Sequence, residues 1–246
     1  MKHDIVYILK NNYNSEELKY SLRSVCENFP FRKIWFYGGK PEGIEPDEYV
    51  EITQAGDTKW DKVTYTLRKI CSNSDITEDF WLFNDDFYVM RKVKHLEPMI
   101  GGTLQARIRR IASKHGGVDS KYSAQLRRTA EILANYKLDT LDYAMHVPIL
   151  INRAKGLRTL DKFKGFPMFR SLYGNHHRIG GVVINDVKIQ DCNQIPTGDE
   201  ILLSTNDRSF RAGEVGRYLR DRFNTECRYE RTEGSEVDTS MEEAEA

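Results

Sequence analysis

The segment that most constrains this chain is Phe80-Trp81-Leu82-Phe83-Asn84-Asp85-Asp86-Phe87, an apolar tetrad that stops at two adjacent carboxylates. Four consecutive large apolar residues suit a strand covered on both faces, as at the centre of an α/β sheet. In open sheets of this kind ligands bind beyond the carboxyl ends of the strands, which is where Asn84, Asp85 and Asp86 fall. Neighbouring carboxylates repel unless a cation lies between them, and Mn²⁺ or Mg²⁺ shared with substrate phosphates meets that need. The same spacing suits an Asp-Asp turn closing a hairpin into Tyr88-Val89-Met90, and both readings stand at this point.

The flanking pattern alternates strands with helices. Strands are expected at residues 4–9, 33–37 and 49–52. Asn14 and Glu17 form a capping-box pattern ahead of Leu18, Leu22, Val25, Cys26 and Phe29, which recur at helical spacing until Pro30. Asp57 or Thr58 caps a helix through Ile70, which leads into the acidic strand. The middle differs. Residues 103–114 put Leu104, Ile108 and Ile111 on one helical face and Arg107, Arg110 and Lys114 on another, and a second helix spans 120–136. These two form a helical insertion over about 103–137. Strands at 182–189 and 200–204 follow, then a helix at 213–223 with Arg217, Arg220 and Arg222 on its polar face. The expected fold is α/β, a mostly parallel mixed sheet flanked by helices, with one catalytic domain over residues 1–231.

Composition narrows the class. The 246 residues are 39% apolar, enough for a sizeable core. No apolar run approaches the roughly 18 residues of a spanning helix, and the N-terminus enters a strand without a signal-peptide pattern. Cys26, Cys71, Cys192 and Cys227 are scattered, which argues against a zinc knuckle or disulfide framework and reads as reduced thiols in a cytoplasmic protein. Net charge is zero, but the last fourteen residues carry six acidic and no basic side chains. The rest is therefore basic by about six charges, and residues 232–246 read as a disordered acidic tail. Phosphate-binding P-loop, dinucleotide and nucleophile-elbow glycine motifs are absent.

Other residues can carry chemistry. His146 precedes Val147-Pro148 in an apolar run, and its imidazole is either structural or a metal ligand and proton carrier. Arg170 offers a planar fork for phosphate oxygens, or is a solvated surface residue. Of the adjacent His176 and His177, at most one faces an ion. Arg107, Arg110 and Lys114, with Arg127, Arg128 and the C-terminal arginines, suit a polyanion or pair with Glu131, Asp221 and Glu226 on the surface.

Several of these segments, taken in order, resemble the Stealth family of sugar-phosphate transferases. Residues 17–25 (Glu-Leu-Lys-Tyr-Ser-Leu-Arg-Ser-Val) with Arg32-Lys33-Ile34-Trp35-Phe36-Tyr37-Gly38-Gly39 look like that family's second region, and Phe83-Asn84-Asp85-Asp86-Phe87 like its acidic motif. His146-Val147-Pro148-Ile149-Leu150-Ile151-Asn152-Arg153 is similar to its histidine motif, and Arg170 with Tyr173-Gly174-Asn175 to its arginine segment. The resemblance implies a GT-A-like, Rossmann-like core that binds a nucleotide-sugar donor. It places Asp85 and Asp86 at the metal and phosphates, His146 at the transferred group and Arg170 at the phosphates, with Arg23, Asn84, Asn175 and His176 contacting substrate.

Two departures matter. The first strand ends in Leu9-Lys10-Asn11-Asn12 where the family has Trp-Val-Asp or Trp-Val-Asn, and residues 62–67 lack the glutamate that the family carries on the preceding helix. The expectation is therefore metal-dependent glycosyl transfer to a hydroxyl, on a glycan or on a hydroxymethylated DNA base as in phage-type DNA glycosyltransferases. Hexose-1-phosphate transfer and a non-catalytic nucleotide-sugar-binding module are the alternatives.

Overall fold

A computed structural model describes residues 2–11, 16–53, 55–114 and 120–231. The expected cap Asn14, the Lys114 side chain and the acidic tail lie outside the described residues. In chain order the first half comprises β1 (Asp4–Leu9), α1 (Glu17–Asn28), β2 (Ile34–Gly38), β3 (Glu48–Glu51), α2 (Lys59–Ser72), β4 (Asp79–Phe83), β5 (Phe87–Val89), β6 (Met99–Ile100), α3 (Leu104–Lys114) and α4 (Lys121–Asn135). The second half comprises β7 (Ile149–Asn152), α5 (Arg153–Lys162), α6 (Phe169–His176), β8 (Val182–Val183), β9 (Lys188–Ile189), β10 (Leu202–Thr205), α7 (Asp207–Ala212) and α8 (Glu214–Arg222).

The fold is α/β. Five strands run in the order β3-β2-β1-β4-β7, parallel except β7, which is antiparallel to β4. Successive side chains of a strand point to opposite faces, and both faces here are covered. Tyr7, Phe36, Trp81 and Phe83 pack with Leu18, Leu22 and Val25 of α1. Val6, Tyr37, Phe80 and Leu82 pack with Leu67 and Ile70 of α2 and Phe169 and Tyr173 of α6. The unbroken apolar run of β4 is what that double burial requires.

The hairpin reading of Asp85-Asp86 is corrected. The turn is closed by the Phe87 N–H donating to the Asn84 carbonyl at 3.3 Å, but β5 leaves the first sheet and pairs antiparallel with β10 in a second sheet, β5-β10-β9. The polar face of α1 clamps β5. Ser21 Oγ donates to the Phe87 carbonyl at 2.6 Å, Asn28 Nδ2 donates to that of Val89 at 2.8 Å, and the Val89 N–H donates to Ser24 Oγ at 3.0 Å.

Local signals are met elsewhere. Thr58, not Asp57, caps α2 in a reciprocal box with Asp61. Residues 182–189, expected as one strand, form β8 and β9 in separate sheets, interrupted where Asp186 turns to meet His146. Helices α3 and α4 pack on one another, Leu104, Ile108, Leu126 and Leu133 joining Phe163 and Leu172 in a cluster of their own.

Candidate active site

A cleft of about 710 Å³ opens at the C-terminal ends of β1 and β4. Lys10 and Asn11 line it after β1, Asn84 and Asp85 after β4, Lys59, Trp60, Lys62 and Val63 from the first turns of α2, and Arg170 from α6. Thr58 caps α2, and the first turns of that helix line the cleft, so the positive end of its dipole lies at the cleft wall. Four cationic side chains and one half-buried indole therefore share the lining with one carboxylate, Asp85. The stretch 62–67 that lacks a glutamate also reaches the cleft, through Lys62, Val63, Thr64 and Leu67.

Arg170 is more than a surface fork. Its Nη1 donates to the carbonyls of Met145 at 2.9 Å and Val147 at 2.6 Å, and its Nη2 to that of Leu82 at 3.3 Å. It thus ties the end of β4 to the segment entering β7, with its guanidinium 5.4 Å from the Phe87 ring centroid. Burial lowers its pKa to about 10, with the Asp86 charge opposing.

The two aspartates diverge. Asp85 lines the cleft. Asp86 Oδ2 meets Lys188 Nζ at 2.8 Å and accepts from Ser204 Oγ at 3.2 Å. Asp86 Oδ1 is buried without a hydrogen-bond partner among the described residues. An orphaned carboxylate oxygen of this kind is costly unless a ligand completes it. Among the described residues no cluster of three or more His, Cys, Asp or Glu side chains is placed to hold a metal ion. A hard divalent ion can nevertheless be bound by one or two carboxylates, with substrate oxygens and water filling its remaining positions, although of the two only Asp85 lines the cleft. Asp85 and Asp86 Oδ1 are the groups that could hold Mn²⁺ or Mg²⁺.

His146 is bound at Nδ1 by Asp186, 2.9 Å from each carboxylate oxygen. Arg107 joins the same cluster, reaching Asp186 Oδ2 at 3.4 Å and Asp142 Oδ2 at 3.3 Å. Burial alone would raise the Asp186 carboxyl. The His146 hydrogen bond and charge and the Arg107 charge outweigh it and bring the pKa down to about 2. Asp142, fully buried, is instead shifted upward by burial, with Arg107 opposing. Asp186 and Lys188 stand two residues apart, so one short segment holds both His146 and Asp86.

Several sequence expectations are corrected. Arg107 is 8% exposed and committed to two aspartates, so it cannot meet a polyanion. Only Arg110 of that trio is described as exposed. Arg23 forms a bidentate pair with Glu230 at 2.6 and 2.7 Å and lines a different cleft from the one that holds Asp85 and Arg170. Asn175 is consumed by the backbone of Leu141 and Ser171. His176 packs edge-on against Phe163, 5.5 Å between centroids, and beside His177. Trp60, Asp142, Asp186 and Lys188 were missed. The ion-pair partners of Asp142, Asp186 and Lys188 lie on other elements, and nothing in local spacing pairs Lys188 with a residue 102 positions away.

No family model matches the chain, and no curated protein matches it. Among solved structures it is similar to the galactosyltransferase LgtC in complex with donor and acceptor sugar analogues, at 14% identity over 92% of this chain and 85% of that one, TM-score 0.39. An active-site variant of LgtC gives 14% identity over the same shares, TM-score 0.38. Mouse xyloside xylosyltransferase 1, apo form, gives 8% identity over 94% of this chain and 96% of that one, TM-score 0.35. No helix among the described residues is long and apolar enough to cross a membrane.

Proposed function

We propose that the chain is a GT-A-like glycosyltransferase that takes a nucleotide-sugar donor in the β1–β4 cleft and transfers the sugar to a hydroxyl. The observation that carries this is the cleft wall itself, which Asp85 and Arg170 line together with Lys10, Lys59, Lys62 and the Trp60 indole. Cations on three elements suit a diphosphate, the indole suits stacking of a base, and Asn84 and Asn11 offer amides to the sugar and ribose hydroxyls.

In this reading the bond from the anomeric carbon to the β-phosphate oxygen breaks, and Arg170 with the cleft lysines receives the departing negative charge. Mn²⁺ or Mg²⁺, held by Asp85 and Asp86, supplies Lewis-acid neutralisation of that diphosphate when bound. Asp186 fixes His146 with Nδ1–H donated, leaving Nε2 to accept the proton of the incoming hydroxyl. With Arg107 buried in ion pairs, the basic face expected on α3 shrinks, which favours a glycan hydroxyl over DNA as acceptor.

Calorimetric titration with nucleoside diphosphates and their sugars, with and without Mn²⁺, tests the donor site. Binding that Asp85→Asn weakens at least tenfold in Mn²⁺ supports the assignment; binding indifferent to both metal and Asp85 removes the metal from it. Binding without turnover across acceptors would leave a nucleotide-sugar-binding module.

A further inference from the structure

The helical insertion delivers a charged side chain to the surroundings of His146. Arg107 of α3 is buried, and its guanidinium lies between two carboxylates, 3.3 Å from Asp142 Oδ2 and 3.4 Å from Asp186 Oδ2. Asp186 in turn meets His146 Nδ1 at 2.9 Å. Asp142, Arg107, Asp186 and His146 thus form one connected chain of charge, drawn from α3 and from the segments ahead of β7 and β9.

The backbone is shaped around this chain. A Cβ on Gly101 would fall 2.9 Å from Asp142 Oδ2 and 2.6 Å from Met145 Sδ, so a residue with a side chain there would collide with the cluster. Asp142 Oδ1 accepts the Ala144 N–H at 2.9 Å, and the Tyr122 ring of α4 stands 5.9 Å from the Arg107 guanidinium. Arg170 Nη1 donates to both carbonyls that flank His146, those of Met145 and Val147, so the main chain under the imidazole is fixed separately from its ring. Lys188, two residues beyond Asp186, is already paired with Asp86.

We propose that Arg107 is a positioning residue for His146 that acts through Asp186, holding that carboxylate in place and countering its charge so that the imidazole can shed a proton as well as take one. The role rests on His146 being the acceptor of the hydroxyl proton in the transfer proposed above. An ionised carboxylate touching an imidazole stabilises the imidazolium, and a base that stays protonated cannot accept. A guanidinium on the same carboxylate opposes that effect. One proton enters at Nε2 from the hydroxyl and leaves to solvent, so the ring returns to its starting state.

NMR titration of the His146 ring, assigned with His146→Gln, tests this and needs neither donor nor acceptor. Removing Arg107 alone would leave two carboxylates without their shared cation, a change that can unfold the chain or place a proton on Asp142. The comparison is therefore made in Asp142→Asn, with and without a change at Arg107. Adding Arg107→Met should raise the ring's midpoint by roughly half a pH unit or more, and Arg107→Lys, which keeps the charge, should move it less. Asp142→Asn by itself keeps Arg107 for Asp186 alone and should lower the midpoint relative to the wild type. A midpoint that stays or falls on adding Arg107→Met, that Arg107→Lys moves as far, or that rises in Asp142→Asn overturns the proposal. In turnover, Arg107→Met should cost kcat at low pH and regain it as pH rises, with the donor KM unchanged; a loss equal at every pH also overturns it. Failure of donor binding in the calorimetric titration would remove the transfer reading and leave the ring titration as it is, so the two failures are distinguishable.

Discussion

Lys188 Nζ lies 2.8 Å from Asp86 Oδ2, so the carboxylate that ends the central apolar strand is held by a lysine of the neighbouring sheet. Both side chains are mostly buried, at 17% and 13% exposure. Removing one partner of such a pair leaves an uncompensated charge, whereas removing both leaves none. Lys188→Met should therefore destabilise the protein by about 3 kcal/mol, and adding Asp86→Asn should restore part of the loss. Urea unfolding of the two single variants and the double variant reads this; a double variant as unstable as the sum of the singles would mean the pair is not coupled.

Trp60 should report nucleotide binding directly. Trp35 and Trp81 are 4% and 6% exposed in the sheet core, so a ligand entering the cleft quenches chiefly Trp60. A nucleoside diphosphate should quench the wild type and not Trp60→Phe. Stacking of a base on an aromatic ring is worth about 1–3 kcal/mol, so Trp60→Ala should weaken affinity by roughly tenfold or more while Trp60→Phe weakens it less. Unchanged affinity in Trp60→Ala would move the base elsewhere.

Asp186 gives a pH signature. Its folded carboxyl is brought from the usual 3.8 down to about 2 despite burial, by His146 and Arg107. A carboxyl with a depressed folded pKa contributes stability that is complete above its unfolded value and is lost as pH falls through the folded one. The wild type should thus lose stability between about pH 4 and pH 2 in excess of Asp186→Asn. Thermal unfolding across that window checks the difference, and parallel curves for the two proteins would sever Asp186 from the His146–Arg107 cluster.

Arg170→Lys keeps a positive charge but replaces a planar fork that serves three carbonyls on two segments with a single ammonium. Unmet buried carbonyls cost about 1–3 kcal/mol each, so a loss of at least about 2 kcal/mol is expected. Diphosphate affinity should fall with it. A stable variant with normal affinity would leave Arg170 no role in either.

How much of this was legible depended on how local the signal was. The β4 run, the Thr58 cap ahead of α2 and the α1 periodicity specify strand and helix within a few residues, and the structure follows them. The acidic turn was legible as an end of a central strand, because only double burial explains Phe80–Phe83. What could not be read was the set of partners. Asp186 sits 40 residues from His146, Lys188 102 from Asp86 and Glu230 207 from Arg23, and these pairings arise only when the second sheet and the C-terminal segment close over the first. Arg107 shows the converse failure. Helical spacing put it on a polar face with Arg110, but Arg107 itself abuts Asp142 and Asp186 rather than water.

Glycosyl transfer from a nucleotide-sugar in the β1–β4 cleft is read from the nucleotide released. ³¹P NMR of the protein with Mn²⁺, a panel of nucleoside diphosphate sugars and hydroxyl acceptors should show a nucleoside diphosphate as the product, abolished in Asp85→Asn. Release of a nucleoside monophosphate, with the sugar phosphate carried to the acceptor, would contradict it.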